Sequence, residues 1–265
     1  MGRWQVLQLL ALQLCKAADI LSLEPADVPT SQALWDTKIS TWGGSVIQQN
    51  DSFHLFAAEF VDNCTVGQWT TNSRIVHAVA SSPSGPFKLA DGAAAVAVPI
   101  WAHNPEVVRH TDGTYLLFSI GRPNATVPCK CPSPIPAGFC PRPKLYPLWA
   151  DEIQLHFTRD LNGEWERLGT IILGSNPSPF VTPTGEVYVA FKGGLQIAHA
   201  KTWRGPYKVI TPLAGLLPRP SPSFPTYEDQ FLWFDAQAKR WNCLFHQFSK
   251  TGQRNPSLSR QAYTQ

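Results

Sequence analysis

The chain has 265 residues, of which 43% are hydrophobic and 11% aromatic, with ten Trp. Charged residues make up only 15%, the formal net charge is +3, and no Lys/Arg cluster is interleaved with aromatics, which excludes a nucleic-acid surface. With 24 Pro and 18 Gly spread along it and little helical periodicity after the first twenty residues, the chain reads as all-β, with many short strands and a real core.

A basic start, Met1-Gly2-Arg3, precedes an apolar run from Trp4 to Cys15 and the small-residue end Lys16-Ala17-Ala18. This pattern predicts a secretory signal peptide over residues 1–18, and the run is too short to cross a bilayer, so no membrane partner is expected once it is removed. The alternative is a buried or amphipathic N-terminal helix, because three Gln dilute the run. Asn50-Asp51-Ser52, Asn63-Cys64-Thr65 and Asn124-Ala125-Thr126 fit the glycosylation acceptor pattern, whereas Pro177 excludes Asn176-Pro177-Ser178. All of this points to a secreted, extracellular protein. Loss of Cys15 with the signal leaves Cys64, Cys129, Cys131, Cys140 and Cys243. Cys129, Cys131 and Cys140 lie in a Pro-rich loop, Pro128 to Pro143, which suits a disulfide better than zinc because no His lies at ligand spacing; the connectivity stays open. No metal and no cofactor is expected.

From residue 30 onward the chain repeats a hairpin four times. Gly43–Gln49 turns at Asn50-Asp51 into Ser52–Glu59; Asn104–Arg109 turns at Thr111-Asp112-Gly113 into Thr114–Ser119. Pro177–Val181 turns at Pro183-Thr184-Gly185 into Glu186–Phe191; Tyr227–Asp235 turns through Ala236 to Arg240 into Trp241–His246. Asp-Gly and Thr-Gly are strong turn signals, because Gly accepts the positive φ required there. A second strand pair follows three of the hairpins: Ile75–Ala80 with Phe87–Leu89, Ile153–Thr158 with Glu164–Leu168, and Leu195–Ala200 with Tyr207–Ile210. Four short strands per unit, in matching order, predict propeller blades starting near residues 43, 104, 177 and 228 in one domain, 30–248. A β-sandwich would not explain the matching blocks. Residues 249–265 read as a polar tail, leaving three full blades and half of a fourth.

The blocks Trp42-Gly43-Gly44-Ser45, His103-Asn104-Pro105-Glu106-Val107 with Asp112-Gly113-Thr114-Tyr115-Leu116-Leu117, and Glu228-Asp229-Gln230-Phe231-Leu232-Trp233 resemble the five-bladed propeller glycosidases. The nearest match is glycoside hydrolase family 43 and its relatives on arabinan, xylan or fructan, over roughly residues 40 to 248. The resemblance implies a five-bladed-type β-propeller, incomplete at the C-terminus, that hydrolyses a polysaccharide or oligosaccharide with inversion. It implies Glu228 as general acid and Glu106, where the family usually has Asp, as the carboxylate that tunes it. An oxocarbenium-like transition state also needs a base for water on the opposite face. The family's first-blade Asp is not found, since Gly44 or a neighbour stands there; Asp36 is the remaining candidate, and Glu59 ends the same hairpin. The alternative function is a catalytically inactive carbohydrate-binding propeller.

Other residues expected to touch a carbohydrate are Trp42, Arg74, His103, Asn104, Asp229, Trp233 and His246. Trp faces suit the apolar face of a sugar ring, as do those of Trp69 and Trp101, although packing between blades is the competing role. Arg74 could anchor a hydroxyl or carboxylate, or bond a blade edge. The expected partner is a carbohydrate, and the sequence carries no statement of oligomeric state.

Overall fold

The computed structural model describes residues 34, 39–62, 64–69, 71–92, 96–98, 101–121, 131, 151–192, 196–210, 227–248 and 254–264, and side chains at 227, 228, 246–248 and 254–264 are outside that description. The expected signal peptide, Asp36, Cys129 and Cys140 lie outside the described residues.

Among the described residues the chain forms four antiparallel sheets, taken in chain order. The first holds β1 (Ser40–Gln49), β2 (Ser52–Phe60), β3 (Ser73–Ala80) and β4 (Lys88–Leu89), with β5 (Val96–Val98) also on β3. The second holds β6 (Ala102–Arg109), β7 (Tyr115–Gly121), β8 (Glu152–Thr158) and β9 (Glu166–Leu173). The third holds β10 (Ser175–Val181), β11 (Val187–Lys192), β12 (Gln196–Ala200) and β13 (Lys208–Ile210). The fourth holds β14 (Tyr227–Asp235), β15 (Arg240–Phe248) and β16 (Arg254–Thr264). Residues 254–264 therefore form a strand where the sequence reads as a polar tail. Strand β16 pairs with β15 from Trp241↔Thr264 to Phe248↔Arg254.

The turns form as the glycines require. Gly113 and Gly185 have φ of 87° and 86°. Their amides donate to His110 O at 3.0 Å and Thr182 O at 2.9 Å, and His110 and Thr182 amides close the same hairpins onto Thr114 O and Glu186 O.

The middle sheets are buried on both faces, which explains their unbroken apolar runs. From β7, Leu117 packs with Phe56, Ala58 and Ile75 of the first sheet. Its neighbours Leu116 and Phe118 point the other way, to Val187, Val189 and Phe191 of the third. Ala190 and Ile197 then meet Leu232, Cys243 and Phe245 of the fourth. A two-layer sandwich buries one face of each sheet. Here three successive cores separate four sheets, and the first strands stand side by side, β1 against β6, β6 against β10 and β10 against β14. At roughly 25 cal/mol per Å² of apolar surface, burying both faces is the main stabilising contribution.

Among the described residues one disulfide is formed, Cys64–Cys131, across a sequence separation of 67. It does not staple the Pro-rich loop to itself; it ties that loop to the segment between β2 and β3, where the Cys131 amide also donates to Asp62 O at 3.1 Å. Cys243 is a buried free thiol, and its burial pushes its pKa up to about 12.

Candidate functional site

Each first strand carries an irregularity near its start. Pairing shifts register between Trp42 and Gly44, His103 and Glu106, Ser175 and Ser178, and Glu228 and Phe231. At the same place in each bulge one residue has left-handed backbone: Gly43 (φ 59°), Asn104 (47°), Asn176 (51°) and Asp229 (53°). Gly, Asn and Asp tolerate this region because they lack a Cβ or carry a short polar side chain that bonds locally. A bulge redirects side chains and ends strand pairing. Because β1, β6, β10 and β14 lie side by side in that order, the four bulges fall on neighbouring strand starts.

The neighbours meet in pairs. The Asn104 carboxamide oxygen lies beside Gly43, 3.4 Å from where a Cβ there would stand. Asn176 Nδ2 donates to Asp229 Oδ1 at 2.7 Å, and the Gln230 amide donates to Asn176 O. Asn176 and Gln230 were not singled out from the sequence; the signal was Asn-Pro recurring at 104–105 and 176–177, the second read only as a failed glycosylation tripeptide.

His103 is 5% exposed, and its Nδ1 has no hydrogen-bond partner among the described residues. Its ring stacks on Trp69, with centroids 5.1 Å apart and 29° between planes, and Phe60 lies at 5.9 Å. Burial lowers its pKa to about 4, while the charge of Asp229 acts in the opposite direction. The imidazole is therefore neutral at pH 7. That Asp229 on the fourth sheet is felt at His103 on the second brings the two strand starts to one space. Trp69 belongs to the segment pinned by Cys64–Cys131, just after a 3-10 turn at Val66–Gln68.

Glu106 is partly buried, and burial raises its carboxyl to about 7; no partner for it exists among the described residues. Such a group both holds and releases a proton near neutral pH.

The remaining expected residues divide. Arg74 bonds a blade edge through Nε, which pairs with Glu59 at 2.5 Å where the two face each other on β2 and β3. This pair also occupies Glu59. Trp42 is 43% exposed beside Gly43. Trp233 is half-buried on β14, its ring 5.8 Å from that of the exposed Phe231. Trp101 is 7% exposed and belongs to the packing rather than to an open surface. Glu228 and His246 face each other in the β14–β15 register, and their side chains lie outside the description. Among the described residues no cluster of three or more His, Cys, Asp or Glu is placed to hold a metal ion.

Comparison with solved structures identifies the class of fold. The chain is similar to Zg3597, a family 117 glycoside hydrolase of the marine bacterium Zobellia galactanivorans, with a TM-score of 0.58 and 14% identity over 85% of this chain and 66% of that one. It is similar to a thermostable family-43 glycoside hydrolase, with a TM-score of 0.52 and 13% identity over 81% and 68% of the two chains. It is also similar to the family 93 α-L-arabinofuranosidase of Fusarium graminearum, solved with arabinobiose, with a TM-score of 0.54 and 11% identity over 85% and 57%. The protein has the fold of the β-propeller glycosidases, and it spans 57–68% of the length of these three. No protein-family model matches the sequence. No curated protein is significantly similar to it.

Proposed function

We propose that this chain is a glycoside hydrolase of the five-bladed-propeller type, acting on a polysaccharide or oligosaccharide at the space between the starts of β1, β6, β10 and β14. The observation that supports the proposal is the matched set of bulges, with Asn104, Asn176 and Asp229 at the strand starts and His103 and Glu106 on the same stretch of β6. Hydroxyl-rich ligands need such a mixture of donors, acceptors and an aromatic face, here Trp69 or Trp42. The arabinobiose-bound neighbour supports the ligand class.

In this reading Glu228 protonates the leaving oxygen and Glu106 tunes it, with inversion as the outcome. Water attacks the anomeric carbon from the opposite face as the glycosidic C–O bond breaks, and a base takes the water's proton. Asp36 and Asp229 are the carboxylates to test in that role. Secretion is expected, and the Cys64–Cys131 bridge supports an oxidising route. A second reading, a sugar-binding propeller without catalysis, is favoured by Gly43-Gly44 at the first sheet's bulge, where no carboxylate stands.

Sugar release from arabinan, xylan, fructan and galactan, followed by NMR of the anomer first formed, tests the proposal. Wild type should release sugar on one of them, and Glu228→Gln and Glu106→Gln should each lose on the order of 100-fold or more. Retained binding with no release by wild type would establish the second reading instead.

A further inference from the structure

At the starts of the first strands, neighbouring sheets are joined by one recurring hydrogen bond. The Val107 amide of β6 donates to Ser45 Oγ of β1 at 2.9 Å, and the Leu232 amide of β14 donates to Ser178 Oγ of β10 at 2.9 Å. Counted from the left-handed residues Gly43, Asn104, Asn176 and Asp229, the acceptor is always two residues on and the donor, on the next sheet, three residues on. These strands are the edges of their sheets, so the amide in question points away from its own ladder. The rule assigns the remaining seam, between β6 and β10, to Glu106 and Pro179. There the acceptor position carries a side chain with a methylene where serine has its oxygen, and the donor position carries a residue with no N–H.

A free amide at 179 would have two outcomes. It would stay buried without an acceptor, at the cost of a lost bond. Or it would draw the Glu106 carboxyl back onto itself, and a carboxyl that accepts from a backbone N–H is held ionised and turned from the site. Proline removes both outcomes, and the inner edge of a sheet is where proline costs no ladder bond. The seam is instead tied at its far end, where His110 Nε2 donates to Gly185 O at 2.9 Å and Trp203 Nε1 donates to Asp112 Oδ2 at 3.1 Å.

We propose that Pro179 is a positioning residue: by withholding the backbone donor that the other seams use, it leaves the Glu106 carboxyl facing the space between the strand starts, available to a ligand. The proposal deepens the hydrolase reading of that space, and its test separates the two. In protein carrying ¹³C-labelled Glu, with the signal assigned by its loss in Glu106→Gln, the Glu106 carboxyl of Pro179→Ala should titrate at least one pH unit below wild type. The thermal midpoint of Glu106→Ser/Pro179→Ala should exceed that of Glu106→Ser alone, because the pair recreates the Ser-to-amide seam. An unmoved titration overturns the proposal, and so does a double variant that melts no higher than the single one or fails to fold. Sugar release is read separately. Absence of release from wild type sinks the hydrolase while the titration still decides the role of Pro179. Release with an unshifted alkaline limb in Pro179→Ala sinks Pro179 alone.

Discussion

Glu106 has a measurable signature that needs no substrate. Its folded pKa is raised from the ordinary glutamate value to about 7 by burial. A carboxyl raised on folding contributes stability that is present below the unfolded value, near 4.3, and is lost as pH rises through about 7. Glu106→Gln should therefore match wild type at pH 4 and be the more stable protein at pH 8, by roughly 2–3 kcal/mol, in chemical denaturation at the two pH values. Equal gaps at both would mean that the carboxyl is not desolvated. Glu106 and His103 were legible in the sequence, because they sit in one short block with a turn signal behind it. Pro179, Ser45 and Ser178 were not. Each acts on a residue of another sheet, 54 or 62 positions away in the two bonded seams, and no local pattern encodes that distance.

The bulge is the element that turns a plain strand into a site, and its backbone tolerates little. Gly44 has φ of 152°, and a Cβ there would stand 2.6 Å from Phe56 O on the paired strand. Backbone cannot yield as a flexible side chain can, so Gly44→Ala should lose at least about 2 kcal/mol in denaturant unfolding. Asn104→Gly, which keeps the left-handed conformation at no steric cost, should change stability by less than about 1 kcal/mol while weakening sugar binding. The hairpins were readable from Gly113 and Gly185, whose turn chemistry is local. The bulges were not, because Gly43 and Asp229 share with Asn104 and Asn176 only a conformation, and the repeated Asn-Pro marks just two of the four. The disulfide shows the same limit: spacing kept Cys131 within a stapled loop, whereas its partner Cys64 belongs to the segment bearing Trp69. Opening a loop of separation 67 removes up to roughly 4 kcal/mol in the chain-entropy account. Cys64→Ser/Cys131→Ser should therefore melt lower and bind carbohydrate more weakly, as the Trp69 face loosens over His103.

For the whole molecule, the unbroken apolar runs of β7 and β11 made the burial of both faces readable, since strict alternation marks a sheet with one wet face. The ties that hold successive sheets in register remained hidden, and Asp112 is the clearest of them. In the sequence it is the turn residue before Gly113; in the fold it bonds Trp203 from 91 positions away. The Thr114 amide donates to its Oδ1 at 2.8 Å, and His110 Nδ1 lies 3.0 Å from the same oxygen. Desolvation alone would raise the Asp112 carboxyl, but the bonds from Thr114, His110 and Trp203 together hold it well below the usual carboxylate range. The stability it contributes is therefore present above an unfolded pKa near 3.9 and is lost as pH falls toward the lower folded value. The side chain is 41% exposed, and solvent screening limits the effect of Asp112→Asn to about 1 kcal/mol at pH 7. The gap between wild type and Asp112→Asn should narrow below pH 4. Trp203→Phe removes the donor while keeping an aromatic ring against Phe157, so the pH-dependent part of its loss should shrink as pH falls from about 4 toward the lower folded value. A gap that stays constant from pH 7 down to acid unfolding would mean that the Asp112 carboxylate contributes nothing to holding the second and third sheets together.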